Sequence, residues 1–216
     1  MKPRKPTPDL SAPERALHER GIELVCGIDE AGRGPLAGPV AAAAVILPHD
    51  CVIEGLNDSK KLTEKRREAL YDVITEKALY WAVGMADAKE IDDINILQAT
   101  FCAMRRALAG LSVTPDYAIV DGNRDPALGI PTETLVGGDG KCACVAAASV
   151  LAKVTRDRLM REYDKEFPGY GFAVHKGYGT AAHYRAILEQ GVCPIHRLTF
   201  LRNLDDKREK LYAEHL

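Results

Sequence analysis

The segment from Ile22 to Pro48, IELVCGIDEAGRGPLAGPVAAAAVILP, decides how this chain folds. Its first part is apolar as far as Ile28 and then carries two acids, Asp29 and Glu30. Short apolar runs bounded by turn residues are typical of buried strands. The glycines and prolines that follow predict a tight turn, and the apolar residues after Pro39 predict a second strand. Two neighbouring strands near the start of the chain therefore predict a sheet.

The rest of the chain alternates between helical and strand patterns. Apolar or alternating runs at 79–88 and 116–120 predict two further strands. Apolar spacing and start signals predict helices at 11–20, from about 63, and at 89–111, 142–166, about 180–190 and 207–216. Segment 167–180 is rich in Gly and Tyr and is typical of a loop. The pattern predicts an α/β protein in which helices cover a mixed sheet.

The first predicted helix carries its own start and stop signals. Ser11 and Glu14 have the spacing of a capping box, in which each side chain accepts a hydrogen bond from the backbone of the other residue. Gly21 is a typical stop signal after the helix. We therefore expect both side chains to satisfy the start of their own helix.

The composition excludes several classes of protein. With 216 residues, 46% hydrophobic and 28% charged, the chain is neither disordered nor fibrous, and one domain is expected over 11–216. The basic, Pro-rich start predicts a disordered tail over 1–10 and lacks the apolar segment of a secretory signal. The longest apolar run, Leu36 to Pro48, is shorter than the roughly 20 residues of a membrane span. We therefore expect a cytoplasmic protein that does not bind membranes.

The cysteines and the net charge say less about function. The six cysteines show neither a CxxC pair nor the spacing of a Cys/His metal site. They are interpreted as small buried hydrophobic residues in a reducing compartment. The net charge of −2 neither favours nor excludes nucleic acid, because binding depends on whether positive charges gather on one face.

Acidic residues follow two of the predicted strands. Asp29 and Glu30 follow the first strand, Asp121 follows the strand at 116–120, and Asp139 stands between two glycines ahead of a long helix. Ligands of α/β proteins bind beyond strand ends, where loops converge. We therefore expect these acids to form one cluster.

Such a cluster predicts a divalent cation. Neighbouring carboxylates repel one another and raise each other's pKa, whereas a bound cation stabilises their charged forms. Oxygen ligands suit Mg²⁺ or Mn²⁺, and two such ions about 3.5–4 Å apart can activate water in phosphodiester hydrolysis. Taken singly, Asp139 is also a candidate N-cap and Asp121 a turn residue. Together the acids leave a metal hydrolase, a phosphotransferase and a binding protein open.

The adjacent acids Asp29 and Glu30 pose a geometric problem. Neighbouring side chains of a strand point to opposite faces of the sheet. If both acids face one site, the strand must end or distort here, which Gly32 permits. Otherwise Glu30 contributes its backbone carbonyl.

A set of short sequence blocks points to a known family. The first is DEAGRGPLAGPV (29–40). The others are NDSKKLTEKRRE (57–68), IVDGNR (119–124), GGDGKCACVAAASVLAKVTRDRLM (137–160), FPGYGFAVHKGYGT (167–180) and HRLTF (196–200). In this order the blocks resemble the ribonuclease HII family, the type 2 ribonucleases H, over about residues 22 to 203.

The resemblance implies a ribonuclease H-like fold, with a five-stranded mixed sheet flanked by helices and a small helical C-terminal part over about 180–216. It implies that Asp29, Glu30, Asp121 and Asp139 are the catalytic acids and bind the metal ions. The related ribonuclease HIII carries a sizeable extra N-terminal domain and a Glu as its last acid. Here about twenty residues precede the first strand and the last acid is Asp139, which favours ribonuclease HII.

The resemblance also implies substrate contacts. Gly32, Arg33 and Gly34 match the family element that recognises the 2′-hydroxyl of a ribonucleotide, the group that distinguishes RNA from DNA. Glycines let the backbone approach a sugar closely, although this pattern is also typical of a simple turn. Tyr178 matches the tyrosine that stacks on the deoxyribose after the ribonucleotide. Tyr170 is the competing candidate, and a packed core tyrosine is the structural alternative.

Basic residues supply candidate phosphate contacts. Lys60, in the block that resembles the family's SK element, is the first candidate for substrate binding. The others, interpreted mainly as solvated helix faces, are Lys61, Lys65, Arg66, Arg67, Lys153, Arg156, Arg158 and Arg161. Lys153 is also a candidate partner for an acid. His183 and His196 are candidates either for residues that surround the site or for packing histidines, and the second interpretation is favoured.

The resemblance implies an endonuclease that hydrolyses the RNA strand of RNA–DNA hybrids. It also implies cleavage of duplex DNA 5′ to a single embedded ribonucleotide, leaving 5′-phosphate and 3′-hydroxyl ends, with two Mn²⁺ or Mg²⁺ ions as cofactors. A monomer that removes misincorporated ribonucleotides or RNA primers is expected. The alternatives are another metal nuclease of the same fold, such as a junction resolvase, and a hybrid-binding module without turnover.

Overall fold

The computed structural model describes residues 9–57, 59 and 62–204. The strands are β1 Val25–Ala31, β2 Val40–Ile46, β3 Tyr80–Ala86, β4 Tyr117–Asp121 and β5 Thr132–Leu135. The helices are α1 Ala12–His18, α2 Glu64–Lys77, α3 Ala88–Ala109, α4 Ala143–Glu166, α5 Phe172–His175 and α6 Ala181–Gln190. The predicted helix at 207–216, Lys60 and most of the predicted tail over 1–10 lie outside the described residues.

The five strands form one mixed sheet in the order β3-β2-β1-β4-β5. β1 pairs antiparallel with β2, and β2 pairs antiparallel with β3. β1 and β4, and then β4 and β5, pair in parallel. The predicted five-stranded mixed sheet flanked by helices is therefore confirmed. The parallel half of the sheet is the part that brings different strand ends to one edge.

Each face of the sheet carries its own hydrophobic core. Val25 of β1 packs on one face with α2 and α4. Cys26 and Ile28, which alternate with it, pack on the other face with α3. A third, smaller core contains Met160 and Phe172 and joins the end of α4 to α5 and α6. The alternation along β1 therefore decides which layer each of its side chains meets.

A glycine sets how closely α4 approaches β1. A Cβ atom added at Gly27 would lie 2.2 Å from the backbone carbon of Cys144 and 2.3 Å from the backbone nitrogen of Val145. No side chain larger than that of glycine fits between the strand and the first turn of the helix. The start of α4, and with it the turn that carries Asp139, is thereby held directly against β1.

The predicted capping box of the first helix is wrong. The Ser11 side chain makes no capping hydrogen bond to α1. Instead, the buried Glu14 carboxylate accepts hydrogen bonds from the backbone N–H groups of Cys144, at 2.8 Å, and Ala143, at 3.3 Å. An acceptor satisfies the unpaired N–H groups of a helix start whether it comes from the same helix or another. Glu14 therefore fastens α1 to the start of α4.

Two further elements differ from their predictions. The short helix α5 lies within segment 167–180, which was predicted as loop. Helix α3 is interrupted at Asn95, whose φ of 68° is left-handed and whose Oδ1 accepts hydrogen bonds from the N–H groups of Leu97 and Gln98. The side chain thus replaces the missing helical bonds at the kink. None of the helices in the described part of the chain combines the length and hydropathy of a membrane crossing.

Candidate metal and nucleic-acid site

The parallel pairing of β1 with β4 brings two of the predicted acids side by side. Ile28 of β1 lies beside Val120 of β4 in the register of the sheet. Asp29 and Asp121 are the next residues of these two strands, at their carboxyl ends. The adjacency that the sequence predicted from strand ends is therefore present.

Asp29 is buried, with 3% of its surface exposed, and its Oδ1 atom accepts a hydrogen bond of 2.7 Å from the Glu30 N–H. Burial raises the pKa of Asp29 well above its ordinary value, and the charges of Glu30 and Asp121 raise it further. A hydrogen bond from Ser149 opposes the rise in pKa. The Ser149 hydroxyl also lies 2.8 Å from that of Ser59, and neither serine was among the predicted site residues.

The electrostatics of Asp29 fit a bound cation. A carboxylate with a strongly raised pKa is unstable in its charged form until a positive charge arrives. The acids around it offer only oxygen atoms, the ligands that Mg²⁺ and Mn²⁺ prefer. The donor set at this edge of the sheet is therefore suited to a hard divalent ion.

Glu30 reaches the same edge from the other face of the sheet. The strand neither ends nor distorts at the two acids, because β1 continues in regular pairing to Ala31. Glu30 lines an open groove together with Asp121 and side chains of α3. The Arg33 guanidinium lies 3.5 Å from the Glu30 carboxylate. The two adjacent acids thus approach the end of β4 from opposite sides.

Asp139 is joined to this edge through its neighbour. The Oδ1 atom of Asp121 accepts a hydrogen bond of 2.7 Å from the N–H of Gly138. The buried Asp139 follows in the 3-10 turn Gly138–Gly140, ahead of α4. Asp139 is not the N-cap of that helix, because Cys142 occupies the position and Glu14 supplies the acceptor.

The four acids do not form a compact cage for a single ion. Within the described residues, no three of them bring carboxylate oxygens within 4.8 Å of one another. The described group that does meet this spacing is Glu14, Cys142 and Cys144. Its carboxylate already accepts the N–H groups of α4, and its sulfur atoms do not suit Mg²⁺ or Mn²⁺. The edge of the sheet that carries Asp29, Glu30, Asp121 and Asp139, called the acidic edge below, offers only oxygen ligands. It remains the better candidate site for these ions.

The two glycines that flank Arg33 have different surroundings. A Cβ atom at Gly32, whose φ is +95°, would lie 2.0 Å from the Nε atom of Arg156. A Cβ atom at Gly34 would meet only the Cε1 atom of Tyr178, at 3.7 Å. The missing side chain of Gly32 therefore leaves room for the buried Arg156, while Gly34 faces open space beside Tyr178. The prediction that Arg156 belongs to a solvated helix face is wrong, because its side chain is fully buried.

Tyr178 and Tyr170 differ in exposure. Tyr178 is 45% exposed and its ring stands beside Gly34. Tyr170 is buried, donates its hydroxyl to the Gly191 carbonyl at 3.0 Å and stacks on Phe172. Of the two candidates, only Tyr178 presents a ring that a nucleotide can reach.

Several basic residues of α4 pair with acids of the same chain. The Lys153 ammonium lies 2.6 Å from Asp157, which confirms the predicted pairing with an acid. Arg158 and Arg161 each donate to Glu68 of α2, at 2.6 Å. These contacts hold helices together and occupy charges that a phosphate would otherwise use.

The remaining predicted residues divide between the core and the undescribed part of the chain. His183 and His196 are buried, and their Nε2 atoms lie 3.1 Å apart. Their interpretation as packing histidines is confirmed. Lys60, the first candidate for a phosphate contact, lies outside the described residues.

The groove at the acidic edge contains two residues that were not predicted. Asn123 and Arg124 line this groove together with Asp121, Glu30 and Arg33. The groove contains about 590 Å³ of open space. The sequence signal was present, since both residues follow Asp121 directly in the block IVDGNR. Two arginines next to two acids can hold a phosphate close to a metal ion.

Comparisons with known proteins agree with this geometry. A family model described as ribonuclease HII matches residues 26–203. A ribonuclease HII of Acetivibrio thermocellus is 56% identical over 190 residues, which are 88% of this chain and 74% of that protein. The crystal structure of ribonuclease H2 from Pyrococcus horikoshii has 26% identity and a TM-score of 0.71, over 88% of this chain and 99% of that one.

A more distant neighbour supports the fold alone. The crystal structure of a Bst ribonuclease HIII in complex with Mn²⁺ has a TM-score of 0.68 at 21% identity, over 91% of this chain and 72% of that one. Three findings support the same family: the sheet order, the match to the family model and the identity to curated relatives. The chain therefore belongs to the ribonuclease HII family of endoribonucleases and has its ribonuclease H-like α/β fold.

Proposed function

We propose that this protein cleaves the RNA strand of RNA–DNA hybrids and cuts duplex DNA 5′ to a single embedded ribonucleotide. The observation that carries the proposal is the buried carboxyl group of Asp29, whose pKa is raised by burial and by the charges of Glu30 and Asp121. A group of this kind at an edge lined by further acids and arginines is suited to an ion that binds phosphate.

Asp29, Glu30, Asp121 and Asp139 would hold two Mn²⁺ or Mg²⁺ ions in this proposal. When bound, such ions supply an activated water and stabilise the leaving oxygen of the phosphodiester. Asp29 and Asp121 approach from the neighbouring parallel strands β1 and β4. Because β1 neither ends nor distorts at the two acids, Glu30 would contribute its backbone carbonyl. Substrate phosphate and water commonly complete the coordination of such ions beside one or two carboxylates.

The remaining residues would orient the nucleic acid. Arg33 and Arg124 line the acidic groove and can neutralise phosphate charge. Gly34 faces open space beside the exposed ring of Tyr178, so a nucleotide can stack on the ring while its sugar meets the backbone. Lys60 remains a proposed phosphate contact from the sequence resemblance alone.

The direct test is cleavage of an end-labelled DNA duplex that contains one ribonucleotide, with Mg²⁺, Mn²⁺ or EDTA. We expect one cut 5′ to the ribonucleotide with either ion and none in EDTA. An all-DNA duplex of the same sequence and a four-way DNA junction are the matched controls, and both should stay intact. Equal cleavage of the all-DNA duplex, or cleavage in EDTA, would refute the proposed function.

A further inference from the structure

Within the described part of the chain, two buried arginines form no ion pair with an acid. Arg156 and Arg197 are both fully buried, and neither forms a salt bridge within the described residues. Burial lowers the pKa of Arg156 to about 10 and that of Arg197 to about 9. Burying a charge is costly unless hydrogen bonds compensate it, so the contacts of these two side chains are of interest.

Arg197 binds the backbone of the segment that surrounds Arg33. Its Nη2 atom donates to the Gly32 carbonyl at 2.6 Å and its Nη1 atom donates to the Arg33 carbonyl at 2.9 Å. Its Nε atom donates to the Gly38 carbonyl at 2.9 Å. One guanidinium therefore fixes both ends of the loop from Gly32 to Gly38.

Arg156 joins this loop to the loop of Tyr178. It donates to the carbonyls of Pro39 at 2.8 Å, Ala37 at 3.0 Å and Lys176 at 2.9 Å. Lys176 lies two residues before Tyr178. We call residues 32–39 and 176–178 the arginine-braced loops, because these two side chains bind their carbonyls.

The hydrogen bonds that Arg197 donates to two carbonyls also determine the direction of the N–H groups in the same two peptides. The peptide bonds of the described residues are all trans, and in a trans peptide the C=O and N–H point in opposite directions. When the carbonyls of Gly32 and Arg33 face the buried Arg197, the N–H groups of Arg33 and Gly34 face away from it. Both residues are exposed, and within the described residues neither N–H has an acceptor. Two free donors therefore point out beside Tyr178.

We propose that Arg197 is a positioning residue for sugar recognition, which orients the N–H groups of Arg33 and Gly34 toward the 2′-oxygen of a ribonucleotide. The inference rests on the proposed function, since it assigns the sugar preference of that site. Arg197 itself does not touch the substrate. It acts by holding the two peptide planes on either side of Arg33, in the exposed part of an otherwise buried loop.

The test separates positioning from simple stabilisation. Arg197→Met removes the donors and keeps much of the side-chain volume. Arg105→Met is the matched control, because Arg105 is partly buried and donates to the loop carbonyl of Pro126 at 2.7 Å, away from the braced loops. Affinity for a duplex with one ribonucleotide and for the same all-DNA duplex is measured by fluorescence anisotropy in EDTA. Thermal unfolding reports the fold of each variant.

We expect Arg197→Met to lower the preference for the ribonucleotide duplex about tenfold, while affinity for the all-DNA duplex changes less than about twofold. Arg105→Met should keep the full preference, with a smaller loss of thermal stability because one carbonyl rather than three loses its donor. A purely structural role predicts equal losses for both duplexes. An unchanged preference in a folded Arg197→Met variant overturns the proposal.

A second measurement does not depend on the variant folding. Amide NMR of the wild-type protein should show the Arg33 and Gly34 signals shifting with the ribonucleotide duplex and much less with the all-DNA duplex. Equal shifts with both duplexes overturn the inference about the two N–H groups. Failure of the wild-type protein to cut the ribonucleotide duplex with Mg²⁺ or Mn²⁺ would instead refute the proposed function, so the two failures are distinguishable.

Discussion

The acidic edge and the arginine-braced loops meet at Arg33 and have opposite electrostatic character. At the acidic edge, Asp29, Glu30 and Asp121 place like charges together, and the pKa of Asp29 is raised. In the braced loops, buried positive charge meets backbone carbonyls at 2.6–3.0 Å. In the proposed function a ligand of opposite charge completes the acidic edge, whereas the loops are held in shape by contacts within the chain.

This difference predicts opposite effects of mutation on stability. Removing a charge from the acidic edge relieves repulsion, so the fold gains or keeps stability while function is lost. Removing a charge from the braced loops leaves buried carbonyls without donors, so the fold loses stability. The sign of the change in unfolding free energy therefore distinguishes the two regions.

The largest effect is expected at the acids. Asp29→Asn or Asp121→Asn should lower the cleavage rate about 10²-fold or more, several kcal/mol of barrier, because a ligand of the ions loses its charge. The melting temperature should stay the same or rise. Glu133→Gln on the exposed face of β5 is the control and should leave both quantities unchanged. Near wild-type cleavage by either Asn variant would contradict the role of the acidic edge.

At the braced loops the expected effect is on stability. Arg197→Met should lower the free energy of unfolding by about 3 kcal/mol, because three buried carbonyls lose their donor. Urea denaturation measures the loss directly. A variant as stable as the wild type would mean that water or a neighbouring group satisfies these carbonyls, and the contrast with the acidic edge would disappear.

The loops also carry a pH-dependent contact. The Nδ1–H group of His183 donates a hydrogen bond of 3.0 Å to the Tyr178 carbonyl, and burial together with the neighbouring His175 and His196 lowers the pKa of His183 to about 4. Because the unfolded chain takes up this proton near its ordinary pKa of about 6.5, stability is full above that pH and is lost as pH falls toward 4.

The loss attributable to His183 at pH 5 is about 2 kcal/mol. Denaturant titrations at pH 7 and pH 5 should show a smaller difference in unfolding free energy for His183→Gln than for the wild type. His49→Gln, at an exposed position, is the control and should show the wild-type difference. An identical pH dependence in His183→Gln would contradict the lowered pKa.

The smallest effect is expected at the exposed ring. Tyr178→Ala should weaken binding of a ribonucleotide-containing duplex by about 1–2 kcal/mol through lost stacking, with little change in melting temperature, since the ring is 45% exposed. Tyr170→Phe is the comparison, because it removes a buried hydroxyl and should lower stability without changing substrate preference. A larger loss of binding in the Tyr170 variant would reverse the assignment.

The acidic edge could be predicted from the sequence because short local patterns show where each strand ends and which acids follow it. Strand ends are visible as apolar runs, and parallel pairing carries Asp29 and Asp121 to one edge. The side of approach of Glu30 could not be predicted, because it depends on whether β1 continues past the two acids. Only the structure shows that β1 continues past the two acids, since its pairing with β2 extends to Ala31.

The braced loops could not be predicted because their contacts are distant in sequence. Arg197 follows Gly32 by 165 residues, and Arg156 follows Pro39 by 117. The pattern of charges along a helix favours a solvated position for an arginine. No repeat in the neighbouring sequence indicates that a guanidinium is buried. The same limit applies to Glu14, whose capping spacing indicated its own helix while its contacts lie with α4.

The central claim, that the acidic edge is completed by divalent cations, is tested most directly by crystals soaked in Mn²⁺ and measured for anomalous scattering. We predict manganese density between Asp29, Asp121 and the neighbouring acids, with these side chains drawn closer together than in the unliganded protein. An empty acidic edge would contradict the account, as would manganese found only beside Glu14, Cys142 and Cys144.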